Sequence, residues 1–155
     1  MDTRTDALIR PFSAEDAPAI ARLHKSFSQW FEEQEITQEY VLSCSLRHDF
    51  RFYTAVVDGR LAGFTGVLFY ESVGRAEIGP ICVDAAFQGR GIGSRLLSEV
   101  LEFLRERPIH RVTAKVKAEN ARVISFFERN GFEREAVLQK YTRMGEPAVQ
   151  MVLFP

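Results

Sequence analysis

The sequence is poor in cysteine and in long apolar runs, and each shortage excludes a class of protein. Its 155 residues hold two cysteines, Cys44 and Cys82. These are too few for a disulfide framework and lack the spacing of metal ligands. No apolar run reaches the roughly 18 residues of a membrane span, and the N-terminus lacks the apolar core of a signal peptide. We therefore expect a cytoplasmic protein with no metal site.

An excess of charge of one sign is also missing. The 20 basic and 21 acidic residues leave a net charge of −1, which offers no basis for binding nucleic acid or a membrane surface. The chain shows no repeat, low-complexity tract or linker. Its length suits one domain, so we expect residues 1–155 to fold as a single unit. The sequence does not encode the oligomeric state, and a homodimer is left open.

Periodicity and turn residues predict the element order βααβββαβαββ. A short strand ends at Pro11 and is followed by a helix over about 14 to 30, with Ser13 as its N-cap. The other predicted elements are a short helix after Thr37, strands over 50–57 and 60–70 joined at Asp58-Gly59, a strand over about 75–83, a helix after the glycine loop, a strand in "HRVTAKV", a helix from Glu119 or Asn120, and strands near 136–143 and 148–153. This order predicts a mixed α/β sheet with helices on both faces.

What the sequence does have is a conspicuous glycine loop. The stretch "FQGRGIGSRLL", residues 87 to 97, places Gly89, Gly91 and Gly93 on alternate positions ahead of an apolar helical pattern. Glycine is unfavourable at a helix start unless the backbone must approach something closely. Converging amide N–H groups and the positive end of the next helix would form a phosphate or pyrophosphate site. A plain glycine-rich turn is the alternative.

Two common phosphate loops have a different pattern. A nucleoside-triphosphate loop needs G-x-x-x-x-G-K-[ST], whereas Gly93 is followed by Ser94-Arg95. A dinucleotide fold needs G-x-G-x-x-G and an acidic residue at the end of the next strand, where this chain has Lys115-Val116-Lys117. A dinucleotide-binding protein is therefore nearly excluded.

The strand before the loop contains Gly79-Pro80 in its middle. Proline cannot donate to a sheet ladder, so it marks an edge or a bulge. A bulge here would separate this strand from "HRVTAKV" and leave unpaired amides beside the phosphate loop. An extended ligand with amide groups could pair with them.

Residues 88 to 93, "QGRGIG", match the [QR]-x-x-G-x-[GA] pyrophosphate loop of the GNAT superfamily of acyl-CoA-dependent N-acyltransferases. The resemblance extends through "AEIGPICVDAAF" and "VKAENARVISFFERNGFE" and, with the element order, covers nearly the whole chain. It implies acetyl-CoA as cofactor and a GNAT fold, with a mixed, mostly antiparallel sheet of about seven strands whose central strand is bulged and splayed. It also implies an N-acetyltransferase that modifies a primary amine.

The resemblance implies a set of cofactor-binding residues. The pyrophosphate would lie on the backbone of residues 88 to 94, and the pantetheine amides would pair with Ile81 to Val83. Asn120 would contact the pantetheine arm, although a plain N-cap is the alternative. The implied residues are Ile81, Cys82, Val83, Gln88, Gly89, Arg90, Gly91, Ile92, Gly93, Ser94, Asn120, Phe126, Phe127 and Arg129.

N-acyl transfer needs a neutral amine, which a general base supplies. Glu77 is the predicted base, because the histone-acetyltransferase branch of the family has its base glutamate at this offset from the loop; a solvated strand carboxylate is the alternative. His110 and Glu119 are weaker candidates. The resemblance places the backbone amide of Cys82 at the oxyanion, while its thiol is expected to be a small core group.

The chain departs from the family at two positions. Phe127 replaces the tyrosine that protonates the departing thiolate in many members, so Tyr141 or water would serve instead; a strand aromatic packed on its neighbours is the alternative for Tyr141. Because a thiol has a pKa of about 8.5, thiolate also leaves tolerably without help. Lys115 stands where the branch that acetylates ribosomal-protein N-termini has a glutamate, which argues against that branch.

The acceptor is barely encoded. In the family the first helices and the last hairpin wall the acceptor groove, and residues 30 to 35, "WFEEQE", with Glu39 would form an acidic rim there. Such a rim favours a cationic acceptor such as a lysine, a basic N-terminus or a polyamine, although charge runs are usually only solvated. A non-catalytic acyl-CoA-binding regulatory module, suggested by Phe127, is the alternative function.

Overall fold

The computed structural model describes residues 7 to 30 and 36 to 155. Within them, four helices and seven strands follow the predicted order. The helices are α1 (Ala17–Ser26), α2 (Gln38–Ser45), α3 (Ile92–Arg105) and α4 (Ala121–Arg129). The strands are β1 (Leu8–Pro11), β2 (Phe50–Val57), β3 (Arg60–Tyr70), β4 (Arg75–Val83), β5 (Arg111–Lys117), β6 (Glu133–Leu138) and β7 (Ala148–Leu153).

The strands form one sheet in the order β1-β2-β3-β4-β5-β7-β6. Neighbours are antiparallel except β4 and β5, which run parallel. On one face α1 and α2 bury an apolar cluster that includes Phe64 and Cys82. On the other, α3 and α4 bury Leu96, Leu104 and Phe127. The predicted mixed sheet with helices on both faces is confirmed, and none of the described helices has the length and apolar character needed to cross a membrane.

The bulge predicted at Gly79-Pro80 is present and opens the sheet. Ile78 is paired with Val67 of β3 and Ile81 with Thr65, so two residues of β4 stand opposite one of β3. Pairing of β4 with β5 runs only from Arg75 to Ile78. Ile81 to Val83, after the bulge, therefore stay paired with β3 while β5 diverges from them.

The first predicted helix is interrupted at both ends. A 3-10 turn, Ala14–Asp16, precedes α1, and another, Ser28–Trp30, follows it. At the C-terminal end the Ser26 hydroxyl donates to the Leu23 carbonyl at 2.7 Å. That carbonyl would otherwise accept from the Phe27 N–H, which bonds His24 instead. The helix therefore ends at Ser26.

The strand predicted near 136–143 is misplaced, because β6 runs from Glu133 to Leu138. Gly131 ends α4 with a φ of 92°, and the chain enters the sheet two residues later. After β6, Lys140 turns at a φ of 51°, and a loop closed by Thr142 and Glu146 leads into β7. Tyr141 therefore lies in this loop, outside any strand.

Candidate active site

The glycine loop leads into the N-terminus of α3 beside a large cleft. Gly89 and Gly91 have φ values of 80° and 79°, a conformation that side chains rarely adopt. A Cβ added at either would meet nothing within 4 Å, so the space before them is open. Gly91 is the N-cap, and no side chain caps the first amides of α3. This geometry fits an anion such as pyrophosphate.

Gly93 has a different role from the other two glycines. An ideal Cβ there would lie 3.2 Å from the Phe126 ring, so its absence lets α3 pack closely on α4. Phe127 follows with 3% of its surface exposed, and its ring meets those of Phe126 and Phe132 edge-on. Both Phe126 and Phe127 border the cleft as an apolar wall.

The opened half of β4 forms the opposite wall of this donor cleft, a cavity of about 630 Å³. Ile81 and Val83 border it, whereas the Cys82 side chain is buried on the other face of the sheet. The Asp84 N–H donates to Ala62 of β3 at 2.8 Å. Since alternate residues of an antiparallel strand direct their amides to the same neighbour, the Cys82 N–H also faces β3. The oxyanion role predicted for it does not fit this orientation, which favours Ile81 and Val83.

Most of the residues implied for the cofactor line this cleft. Those that do are Ile81, Val83, Gln88, Gly89, Gly91, Ile92, Gly93, Ser94, Asn120, Phe126, Phe127 and Arg129. Besides Cys82, Arg90 is the exception, with its guanidinium 5.3 Å from the centre of the Phe87 ring. Asn120 also caps α4 through its side-chain oxygen, 3.4 Å from the Val123 nitrogen, so the N-cap alternative and the cleft position hold together.

Arg122 is a cleft residue that the sequence reasoning missed. It lies in the first turn of α4 and donates to the Gln88 side-chain oxygen at 3.0 Å. A cation at a helix N-terminus is electrostatically unfavourable unless an anion is near. An arginine in the first turn of a helix was therefore a signal available in the sequence.

A second, smaller cavity of about 140 Å³ lies at the bulge, and we call it the acceptor pocket. Its walls are Trp30, Glu77, Ile78, Gly79, Pro80, Lys115, Lys117, Tyr141, Thr142 and Ala148. Trp30, Ile78, Gly79 and Lys115 also line the donor cleft. The two cavities therefore meet where β4 and β5 separate.

An ion pair lies in the acceptor pocket. Lys115 Nζ donates to Glu77 Oε1 at 2.9 Å, and the two side chains keep 27% and 37% of their surface exposed. Burial of the Lys115 ammonium opposes its charge, but the hydrogen bond and charge of Glu77, aided by Tyr141, outweigh burial and raise the Lys115 pKa. Lys115 therefore stays protonated, and sequence reasoning did not foresee its pairing with Glu77.

The other acceptor-side candidates separate in the structure. Tyr141 lies beside the ion pair, with its ring centre 5.7 Å from Lys115 Nζ. Glu119 borders the donor cleft, whereas His110 contacts Gly74, next to the opposite end of β4. Of the predicted acidic rim, residues 31 to 35 lie outside the described part of the chain, and Glu39 is exposed on α2.

Comparison with known proteins agrees with this geometry. The model of the Acetyltransferase (GNAT) family matches residues 18 to 132. A solved structure of a putative acetyltransferase of the GNAT family from Desulfovibrio desulfuricans superposes with a TM-score of 0.83 at 26% identity, covering 96% of this chain and 98% of that one.

Two curated relatives are similar over part of their length. An uncharacterized N-acetyltransferase of Methanocaldococcus jannaschii is 28% identical over 129 residues, 79% of this chain and 57% of that protein. The N-alpha-acetyltransferase RimI of Mycobacterium tuberculosis is 34% identical over 91 residues, 56% of this chain and 54% of that protein. This chain thus spans little more than half the length of either relative.

Proposed function

The chain belongs to the GNAT family of acetyltransferases, and on that premise we propose that it transfers the acetyl group of acetyl-CoA to a primary amine. The observation that carries the proposal is the meeting of the donor cleft and the acceptor pocket at Ile78, Gly79 and Lys115. A donor entering from one side and an amine from the other would come together there. We infer that residues 1–155 act as a single N-acetyltransferase domain.

The donor cleft supplies a backbone site for acetyl-CoA. The open space before Gly89 and Gly91 and the uncapped amides of α3 suit its pyrophosphate. The unpaired side of β4 suits the pantetheine amides, which would extend the sheet at Ile81 and Val83. Arg122, beside Gln88, adds a positive charge near the phosphates.

The reaction forms a C–N bond and breaks a C–S bond. The amine nitrogen attacks the thioester carbonyl, its proton passes to a base, and the sulfur leaves as thiolate that takes a proton from solvent. Glu77 is the base in this proposal because its carboxylate faces the acceptor pocket and is near the junction of the two cavities. A carboxylate there can accept the proton directly or through water.

The negative charge that develops on the thioester oxygen needs a donor facing the cleft. The Ile81 amide is the candidate, since it is the first N–H after Pro80 on the open side of β4. Tyr141 lines the acceptor pocket, and the donor cleft is walled by the apolar Phe127. This arrangement supports departure of the thiolate without a side chain of α4 that donates a proton to it.

The test is release of free thiol from acetyl-CoA across a panel of amines, with mass spectrometry of the acetylated product. Coenzyme A binding is measured in parallel by calorimetry. Thiol release that requires both an amine and the folded chain supports the proposal. Tight coenzyme A binding without turnover on any amine would favour the acyl-CoA-binding regulatory module instead.

Two further expectations stay predictions. The cytoplasmic location rests on cysteine content, and fractionation of cells expressing the tagged chain tests it. The homodimer left open by the sequence is tested by sedimentation velocity of the purified chain over a range of concentrations.

A further inference from the structure

The acceptor pocket carries a charge pattern that goes beyond binding an amine. Glu77 and Lys115 face it as an ion pair, and Lys117 adds a second ammonium group. Lys117 is held elsewhere, by the Gln29 carbonyl at 2.6 Å and by Glu146 at 3.4 Å. Lys115 therefore differs from Lys117, because its partner is Glu77, the residue to which the acceptor amine itself would bind.

We propose that the acceptor is a small molecule whose amine and carboxylate are carried on the same or adjacent carbons, with a free α-amino acid as the favoured source. This inference rests on the proposed function, because it places the reacting amine at Glu77. The ammonium form of the acceptor displaces Lys115 from Glu77. The acceptor carboxylate then takes the place of Glu77 beside Lys115.

The exchange of partners is what favours such an acceptor over a simple amine. Lys115 is half-buried and its pKa is raised in the pair, so the ammonium is not readily neutralised. A simple amine that binds Glu77 would leave this charge without its partner. An acceptor that brings its own carboxylate ends with two ion pairs in place of one.

The same charges argue against polyamines and basic N-termini. Such acceptors carry a second positive charge close to the reacting amine. In the acceptor pocket that charge would face the ammonium group of Lys115 once the reacting amine had taken its place at Glu77. Like charges repel strongly in a partly desolvated site. The described walls thus favour a different acceptor from the cationic one expected from the run of glutamates, most of which lies outside the described residues.

The experiment compares matched acceptors at saturating acetyl-CoA. Phenylalanine, phenylalaninamide and phenethylamine share one skeleton and differ in the carboxylate; a second series is built on alanine, and spermidine and a peptide beginning with aspartate complete the panel. The α-amine of the amide is less basic than that of the free amino acid, so more of it is free base near pH 8. A preference for the acid over its amide therefore cannot arise from amine availability.

We expect kcat/KM for the amino acids to exceed that for their amides and amines by about tenfold or more, the worth of one charge-assisted pair. Lys115→Met should remove this preference mainly through a higher KM, and Lys115→Arg should restore most of it. Lys25→Met, on the exposed face of α1, is the matched control and should keep the preference. Thermal melts establish that each variant is folded.

The outcomes separate this inference from the proposed function. Equal kcat/KM for acids, amides and amines, or a preference that survives in folded Lys115→Met, would overturn the inference and leave acetyl transfer standing. A preference for the aspartyl peptide over every free amino acid would overturn the free amino acid as the source of the carboxylate. Absence of thiol release with all amines, despite coenzyme A binding, would overturn both.

Discussion

The donor cleft and the acceptor pocket lie on either side of the same opening between β4 and β5 but are lined by different chemical groups. The donor cleft, at about 630 Å³, presents mainly glycines, backbone amides and apolar side chains, with charged groups such as Arg122 and Arg129 at its border. The acceptor pocket, at about 140 Å³, presents charged side chains and two aromatic rings. Backbone recognition depends on the path of the chain, whereas side-chain recognition changes with one substitution. Under the proposed function, the backbone of the fold would therefore recognise the donor, while a few side chains would select the acceptor.

Glu77→Gln should have the strongest effect, and it changes a residue that lines the acceptor pocket only. If Glu77 is the base, kcat should fall roughly 10²–10⁴-fold near pH 7, the usual worth of general-base catalysis. The affinity for coenzyme A should hardly change, because in the proposed function that ligand binds to backbone in the other cavity. Steady-state kinetics with one amine and calorimetry with coenzyme A measure the two quantities.

The pH profile distinguishes a base from a residue that only positions the acceptor. As pH rises from about 6.5 toward the pKa of the amine, about 10 for an alkylamine, solvent supplies free amine and the rate loss in Glu77→Gln should shrink. A ratio of wild-type to variant rates that stays constant across this range would remove Glu77 from the role of base.

Gly91→Val perturbs the donor cleft and leaves the walls of the acceptor pocket unchanged. The branched side chain would enter the open space in front of α3 and require a left-handed conformation that valine disfavours. Coenzyme A affinity should fall roughly 10- to 100-fold, the worth of one charge-assisted hydrogen bond. Gly59→Val is the control, because Gly59 has a φ of 74° and open space but lies in the β2–β3 turn. An equal loss of coenzyme A affinity in both variants would show that backbone strain, and not a blocked phosphate site, causes the loss.

Asp16→Asn perturbs an ion pair that lies outside both cavities. Asp16 accepts from Arg10 at 2.8 and 2.9 Å and from the Ser13 amide at 2.8 Å. Burial alone would raise the Asp16 pKa, but these hydrogen bonds outweigh it and lower the pKa. The variant should lose about 1.5 kcal/mol of unfolding free energy at pH 6, while acceptor preference stays as in the wild type.

The sign of the pH dependence follows from the lowered Asp16 pKa. The stabilisation is present above the ordinary carboxyl pKa of about 3.9 and is lost as pH falls through the lower folded-state value. Urea unfolding of both proteins should therefore show a difference that is largest near neutral pH and shrinks in acid. A difference in unfolding free energy that grows on acidification would show that a group other than Asp16 causes it.

Phe127→Tyr should have the smallest effect. The Phe127 ring is packed between Phe126 and Phe132 and borders the donor cleft, so a tyrosine there keeps the apolar contact and adds a hydroxyl. Turnover should stay unchanged or rise modestly in the thiol-release assay. A large fall in a folded variant would show that the site does not tolerate the added oxygen, and that this wall must stay apolar for catalysis.

Local signals predicted the backbone around the donor cleft well. Alternating glycines, a mid-strand proline and a helix pattern specify backbone conformations through short-range sterics, so Gly91, Pro80 and the start of α3 were found from neighbouring residues. The same reasoning failed for the Cys82 amide, because its direction depends on which side of β4 is paired. It also misplaced β6, where a left-handed glycine turns the chain into the sheet two residues after α4.

The pattern of glycines, prolines and apolar periods, all encoded within a few residues, was enough to specify the order of the elements, the bulge in β4 and the conformation of the glycine loop. Contacts between distant segments had to come from the folded sheet. Lys115 meets Glu77 across 38 positions of sequence, and Tyr141 joins them from the loop between β6 and β7. Such pairs depend on strand register and on where β4 and β5 part. The charge pattern of the acceptor pocket is therefore a property of the sheet, because no local rule brings these side chains together.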